Sequence, residues 1–140
     1  MKVQTLLKYR RNILLSKIVH YILLNKGVDL PAKVRLGSNV RFPHNCLGTV
    51  IHPNTIIEDN VWIYQNVTIE RANVVSFDDD KDLKILIKKG AKICAGAKVL
   101  CKKEIVVGEN TIIAANAVLL QSTGDNEIWA GVPAKKIKCV

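Results

Sequence analysis

Three histidines, His20, His44 and His52, are the side chains best suited to move a proton near neutral pH. A neutral imidazole, with a usual pKa of about 6.5, can accept a proton from a hydroxyl group at cellular pH. A carboxylate such as Asp29 could fix the tautomer of that ring by accepting a hydrogen bond from its second nitrogen. A catalytic zinc site would need three converging ligands, and His20 belongs to a separate N-terminal segment. The histidines therefore favour acid–base chemistry, and we expect no metal.

Four cysteines are a second source of chemistry, and they lie at Cys46, Cys94, Cys101 and Cys139. They form neither a CxxC pair nor a metal-finger spacing, so we interpret them as small hydrophobic residues in a reducing cytosol. Cys46 is close in sequence to His44. A covalent acyl-cysteine route is therefore an alternative to direct attack by a substrate hydroxyl.

The net charge of +9 is unevenly distributed along the 140 residues. Residues 1–41 carry nine Lys and Arg and one acid, whereas Asp78, Asp79, Asp80 and Asp82 form an acidic cluster. A basic surface attracts phosphorylated cofactors, lipid head groups and nucleic acid. Because no helix-turn-helix, zinc finger or ladder of aromatic residues accompanies the charge, we expect no nucleic-acid partner.

From residue 51 onward the chain repeats every six residues. Ile51-His-Pro-Asn-Thr-Ile56 is followed by units that open at Ile57 and Ile63, and the pattern returns from Ile87 and again from Val107. An aliphatic residue opens each unit, and a small or β-branched residue usually sits four places later. A period of six fits neither an amphipathic helix nor a hairpin sheet. It predicts an all-β solenoid, a parallel β-helix in which each unit supplies one short strand and one tight corner.

The ends of the chain leave this repeat. Residues 4–25 have helical apolar spacing, are too charged to span a membrane, and lack the features of a secretory signal. We predict a helical segment over 1–28 that plugs the coil or also touches an anionic membrane face. The β-helix domain then covers 29–140, with an excursion loop at about 71–84 and a C-terminal cap.

Several motifs together resemble a known family. The hexads, the turn Pro43-His-Asn-Cys-Leu-Gly48, the strand Ile63-Tyr-Gln-Asn-Val-Thr68 and the ending Ala130-Gly-Val-Pro-Ala-Lys135 are similar to those of the left-handed β-helix, or hexapeptide-repeat, acyltransferases. The resemblance is to the serine acetyltransferase branch, and especially to its shorter relatives in polysaccharide biosynthesis. It covers roughly residues 28–138. It implies a cytoplasmic homotrimer with active sites between subunits and acetyl-CoA as the acyl donor.

The resemblance also implies roles for individual residues. His44 would be the general base, and Asp29 would orient it. Ala95 and Ala115 match the small residues that line the path of the cofactor. Tyr64 and Gln65 flank the cleft strand, and His52 is a candidate for substrate contact. Lys135 and Lys136 suit the phosphates of coenzyme A.

The acceptor is predicted from the positions at which this sequence differs from the serine acetyltransferase pattern. The loop Phe77-Asp-Asp-Asp-Lys-Asp-Leu83 lacks the His and Arg with which the serine enzymes contact their amino acid. This difference favours O-acetylation of a sugar hydroxyl in a polysaccharide or its precursor. Glu70-Arg71 replaces a Gly-Gly pair on a strand that contacts the cofactor in the family. The alternatives are serine O-acetylation, amino-sugar N-acetylation, and a trimeric scaffold without chemistry.

Overall fold

The computed structural model describes residues 2–73, 75 and 82–140, without the side chains of Arg11 and Ile13. Within these residues the strands form three sheets. Sheet 1 contains β1 (Arg35–Leu36), β3 (Thr55–Ile57), β6 (Lys84–Ile87) and β9 (Glu104–Val107). Sheet 2 contains β4 (Trp62–Ile63), β7 (Lys92–Ile93), β10 (Ile112–Ile113), β12 (Glu127–Gly131) and β13 (Ala134–Cys139). Sheet 3 contains β2 (Val50–Ile51), β5 (Thr68–Arg71), β8 (Lys98–Cys101) and β11 (Val118–Leu119).

From β3 to β11, successive strands enter sheets 1, 2 and 3 in turn, so the chain winds as a coil with three flat faces. Each strand pairs in parallel with its counterpart in the next coil, as Ile63 does with Ile93 and Ile113 with Ile93. Val50 pairs with Thr68, three hexads further along. The arrangement agrees with the predicted parallel β-helix.

The hexad pattern specifies the core as predicted. The aliphatic residues that open the units are at most 1% exposed, and they are Ile51, Ile57, Ile63, Ile69, Ile87, Ile93, Val99, Val107, Ile113 and Leu119. The small residues four places later are also buried, for example Val67, Ala97 and Ala117. Narrow coils leave room for such side chains and for few rings, which explains the low aromatic content of 5%.

Tight corners connect the faces, and Asn and Gly occupy their left-handed positions. Asn66 and Asn116 have φ of 57° and 58°, and Gly96 between them has φ of 72°. At Gly96 a Cβ atom would meet the side chain of Asn116 in the next coil, so a larger residue would require Asn116 to move. The interval between β5 and β6 corresponds to the predicted excursion, but residues 74 and 76–81, with most of the acidic cluster, lie outside the described residues.

The N-terminal segment differs from the single helix predicted over 4–25. Helix α1 (Val3–Leu6) runs into a 3-10 helix (Leu7–Arg11), and helix α2 (Ile13–Leu24) begins after a break at Asn12. Asn12 is extended, and its side chain accepts hydrogen bonds from the backbone of Leu14 and Leu15. This is N-terminal capping, which Asn favours over a position inside a helix.

Both ends of the chain pack on the coil. Val3, Leu6, Val19 and Leu23 are buried in the same hydrophobic cluster as the hexad residues. At the other end β13 folds back antiparallel on β12 and forms the outermost strand of sheet 2. The helical segment thus plugs the coil. The domain boundary between residues 28 and 29 stays a prediction.

Candidate active site at one corner of the coil

His44 lies in an unusual turn between sheets 2 and 3. The turn is a short 3-10 segment, Pro43–Cys46, in which His44, Asn45 and Cys46 all have positive φ, at 53°, 56° and 43°. Each non-glycine residue in this region costs on the order of 1 kcal/mol or more, so the surroundings must hold the turn. Asn45 Oδ1 accepts a hydrogen bond from the backbone of Val3 at 3.2 Å, and Cys46 is fully buried. The turn presents His44 at the surface, where it is exposed.

The same corner recurs in each following coil and forms a ladder of backbone hydrogen bonds. Asn66 N donates to Leu47 O at 2.8 Å, Gly96 N to Gln65 O at 3.0 Å, and Asn116 N to Ala95 O at 3.0 Å. Residues 43–48, 64–66, 94–96 and 114–116, called here the ladder corner, therefore stack along one edge of the coil. The structure brings His44, Tyr64, Gln65, Ala95 and Ala115 onto this edge.

The surface of the ladder corner suits a long, thin ligand. Ala95 is half-buried and Ala115 is exposed, and neither side chain points into the core. Lys92 precedes and Lys98 follows the corner of the third coil, and both are exposed cations. Gln65 Oε1 is buried without a hydrogen-bond partner among the described residues. An unsatisfied buried acceptor costs about 1–3 kcal/mol, which a donor on a bound molecule would offset.

The carboxylate of Asp29 lies beside His20 and is not bonded to His44 within the described residues of one chain. The backbone of Asp29 pairs with Val50 at the edge of sheet 3. The chain just before Asp29 also lies next to the end of the His44 turn, since Gly48 N donates a hydrogen bond to Gly27 O at 2.8 Å. The carboxylate of Asp29 instead faces His20, with Nδ1 and Oδ1 4.0 Å apart. No hydrogen bond or ion pair to the His44 side chain occurs among the described residues.

The structure places His20 on helix α2, which packs over the start of the coil and brings the ring beside Asp29. Its Nδ1 atom is buried and makes no hydrogen bond within the described residues. Helical periodicity could show that position 20 flanks the buried face, but not which coil residue it would meet.

His52 lies at a different corner, between sheets 3 and 1. It is only 4% exposed, and its Nδ1 atom accepts a hydrogen bond from the backbone of Asn54 at 3.1 Å. The neutral ring must then carry its proton on Nε2, which faces Glu70 Oε1 at 3.8 Å. Within one chain His52 is not part of the ladder corner. Glu70, which we had noted only as a departure from the family pattern, is its carboxylate neighbour.

Lys135 and Lys136, the lysines predicted to bind phosphate, have unequal surroundings. Lys135 is exposed and pairs with Ala130 across the hairpin of β12 and β13. This hairpin lies one layer beyond the corner at residues 114–116, because Ala114 N donates a hydrogen bond to Trp129 O of β12. Lys136 donates to Glu127 Oε1 at 2.7 Å. This hydrogen bond raises the pKa of Lys136 and lowers the pKa of Glu127. Lys135 is thus the better placed of the two for a phosphate, because a carboxylate already engages Lys136.

Cys46 is a poor nucleophile despite its place beside His44. The side chain is 0% exposed, and burial raises the pKa of its thiol to about 12. Because the thiolate is the reactive form, the acyl-cysteine alternative is disfavoured. Cys46 and Cys101 are buried, as suits small hydrophobic residues, whereas Cys94 is partly buried and Cys139 is exposed.

The geometry of the described residues also bears on metal binding and on membrane-spanning helices. Among residues 2–73, 75 and 82–140, no group of three His, Cys, Asp or Glu side chains is arranged to hold a metal ion. In the same part of the chain, each helix is too short or too polar to cross a bilayer.

Comparison with known proteins gives consistent neighbours. No protein-family model matches the chain. A putative serine acetyltransferase of Schizosaccharomyces pombe is 35% identical over 111 residues, which is 79% of this chain and 38% of the relative. The serine acetyltransferase of Salmonella typhimurium is 34% identical over 77% of this chain and 37% of the relative. The chain thus spans less than half the length of these relatives.

A solved structure extends the similarity to the fold. The serine acetyltransferase of Brucella abortus in complex with coenzyme A superposes with a TM-score of 0.72 at 32% identity. The match covers 90% of this chain and 46% of that one. The chain is therefore similar in both sequence and fold to the part of these enzymes that it spans.

Proposed function

We propose that this protein is an acetyl-CoA-dependent O-acetyltransferase of the hexapeptide-repeat type, with His44 as the general base. One observation carries the proposal: the His44 turn and the small residues at 95 and 115 stack on a single corner of the coil. Similarity to serine acetyltransferases, including one solved with coenzyme A, supports the donor.

The residues of the ladder corner can perform this reaction without a covalent intermediate. The acceptor hydroxyl attacks the thioester carbonyl while the His44 imidazole takes its proton. The tetrahedral intermediate then collapses, the carbon–sulfur bond breaks, and coenzyme A leaves as the thiol after it receives that proton. The pantetheine chain would lie along Ala95 and Ala115, and Lys135 would face a phosphate. Asp29 would orient the imidazole once the subunits assemble.

The acceptor is the less specific part of the proposal. The similarity supports serine as the acceptor better than it supports a polysaccharide hydroxyl, because the relatives are serine acetyltransferases. A sugar hydroxyl is the second candidate, favoured by Glu70 and Arg71 in place of Gly-Gly and by the lack of a His-Arg pair in residues 77–83. Carboxylates such as Glu70 accept hydrogen bonds from hydroxyl groups.

The assembly in this proposal is a cytoplasmic homotrimer of left-handed coils, with peripheral contact to the cytoplasmic face of a membrane. His52 and Glu70 lie at another corner from His44, so they can reach one active site only across a subunit boundary. Closed threefold packing would create three equal clefts. Light scattering at micromolar concentration tests this, and a monomer would contradict it.

Turnover against an acceptor panel tests the activity. Purified protein is incubated with acetyl-CoA and L-serine, glucosamine, galactose or N-acetylglucosamine, and coenzyme A is quantified by chromatography so that exposed Cys139 does not interfere. We expect release that depends on one acceptor and is abolished in His44→Asn. Release with serine alone would exclude the sugar candidate. No release with any acceptor, despite binding of coenzyme A, would contradict the transferase proposal for these acceptors.

A further inference from the structure

Helix α2 is apolar on two opposite sides. One side carries Val19 and Leu23, which are 3% and 0% exposed and pack into the core of the coil. The opposite side carries Leu14, Ile18 and Tyr21, which are 70%, 50% and 69% exposed. Positions i, i+4 and i+7 share one face of an α-helix, so these three residues form a continuous stripe, called here the outer stripe.

The plugging role of the helix does not account for the outer stripe. A helix that only closes the end of the coil needs one apolar face, and the other face would ordinarily be polar. Leu15 and Leu24, 41% and 44% exposed, widen the apolar surface on either side. A contiguous exposed apolar surface of this kind marks a site of contact with a partner or a membrane.

The charge around the outer stripe indicates which partner. The first acidic residue of the chain is Asp29, so every charged side chain before it is a Lys or Arg. Lys8, Lys17 and Lys26 are exposed. Arg10 is not available in the same way, because it donates to the carbonyl oxygens of Pro31 and Val34. A second copy that presented the same helix would bring like charges together, whereas an anionic surface complements them.

We propose that the outer stripe of α2 inserts into the interface of an anionic lipid bilayer, with Lys17 and Lys26 facing the lipid head groups. An apolar face flanked by lysines is the arrangement with which helices lie in a membrane interface. Tyrosine, as at position 21, suits the head-group level because its ring is apolar and its hydroxyl polar. The inference rests on the membrane contact in the proposed function, and it names the element and the class of lipid that make this contact.

Vesicle sedimentation of the full chain tests the proposal. Vesicles of phosphatidylcholine with about one third phosphatidylglycerol are compared with pure phosphatidylcholine vesicles. We expect the wild type to pellet with the anionic vesicles, less so at high salt, and weakly with the neutral ones. Leu14→Ser/Ile18→Ser/Tyr21→Ser should weaken binding by about tenfold or more, and Lys17→Glu/Lys26→Glu should also weaken it.

The matched control is Val132→Ser/Ile137→Ser, which removes two equally exposed apolar residues, 71% and 61%, at the other end of the molecule. It should bind as the wild type does. Thermal melting verifies folding, and Tyr21→Ser alone replaces the triple variant if that is unstable. Equal pelleting of the wild type and stripe variants, or no pelleting at all, would overturn the proposal. A change of oligomeric state in the stripe variants would assign the stripe to contacts between copies instead. Acetyl transfer without vesicles is measured separately, so either proposal can fail alone.

Discussion

The two histidines of the coil sit at corners that are built in different ways. At the ladder corner the backbone hydrogen bonds repeat from coil to coil, Ala95 and Ala115 are small, and His44 is exposed with no described partner. At the corner between sheets 3 and 1, the chain after β2 and after β5 differs in length, and His52 is buried between Asn54 and Glu70. The repeated, exposed ladder corner suits a long ligand and leaves His44 available as a general base. The irregular corner, where His52 is hydrogen-bonded and buried, suits a structural role.

This comparison predicts the largest effect for His44. His44→Ala should lower kcat by on the order of 10² to 10⁴ with little change in affinity for coenzyme A, because proton transfer matters only in the transition state. The thermal midpoint should hardly change, since the side chain is exposed. Steady-state kinetics and calorimetry measure both.

His44→Asn is the control for backbone strain, because asparagine tolerates the positive φ of 53° at this position. It should be as inactive as His44→Ala. A fully active His44 variant of either type would refute the mechanism.

Bulk on the ladder corner should come next. Ala95→Trp or Ala115→Trp should weaken coenzyme A binding by about tenfold or more while leaving the melting temperature unchanged, because neither residue faces the core. Ser38→Trp, at an exposed position on the corner between sheets 1 and 2, is the matched control. If calorimetry showed wild-type affinity for coenzyme A in both Ala95→Trp and Ala115→Trp, the cofactor would follow another path along the protein.

Substitution of Asp29 should lower kcat less than substitution of His44, and it tests whether Asp29 acts through His44 or together with His20. Asp29→Asn should lower kcat less than His44→Ala does, and the double variant should be hardly worse than His44→Ala alone, since an orienting group has no role without the base. Multiplicative losses would indicate that Asp29 acts separately. In that case its neighbour at 4.0 Å, His20, becomes the group to substitute next.

The smallest effect on catalysis is expected at His52. His52→Ala should reduce the free energy of unfolding by about 1–3 kcal/mol, because the backbone N–H of Asn54 loses its acceptor and a cavity remains. Urea denaturation measures this loss. If His52→Ala instead leaves stability unchanged and raises KM for the acceptor, the contrast between the two corners is wrong and His52 contacts the substrate.

The hexad core could be predicted from sequence because each unit repeats the same local rule. An aliphatic residue that opens a unit points inward, and Asn or Gly at the fourth position of a unit usually takes the left-handed corner, so periodicity alone assigns Ile63, Ile93, Asn66 and Gly96. The alignment of Ala95 and Ala115 with the His44 turn follows from the same register. Asn12 carried a local signal as well, because asparagine begins a helix as its N-cap more readily than it occupies the interior of one.

Contacts between elements that do not share the repeat were decided only by tertiary structure. His20 meets Asp29 because α2 packs across the start of the coil, Lys136 meets Glu127 because β13 folds back on β12, and Cys46 is buried by its surroundings. Periodicity fixes which way a side chain points within its own element. The neighbour it then meets depends on how two elements pack, and that is set by the summed burial of many residues far apart in the chain.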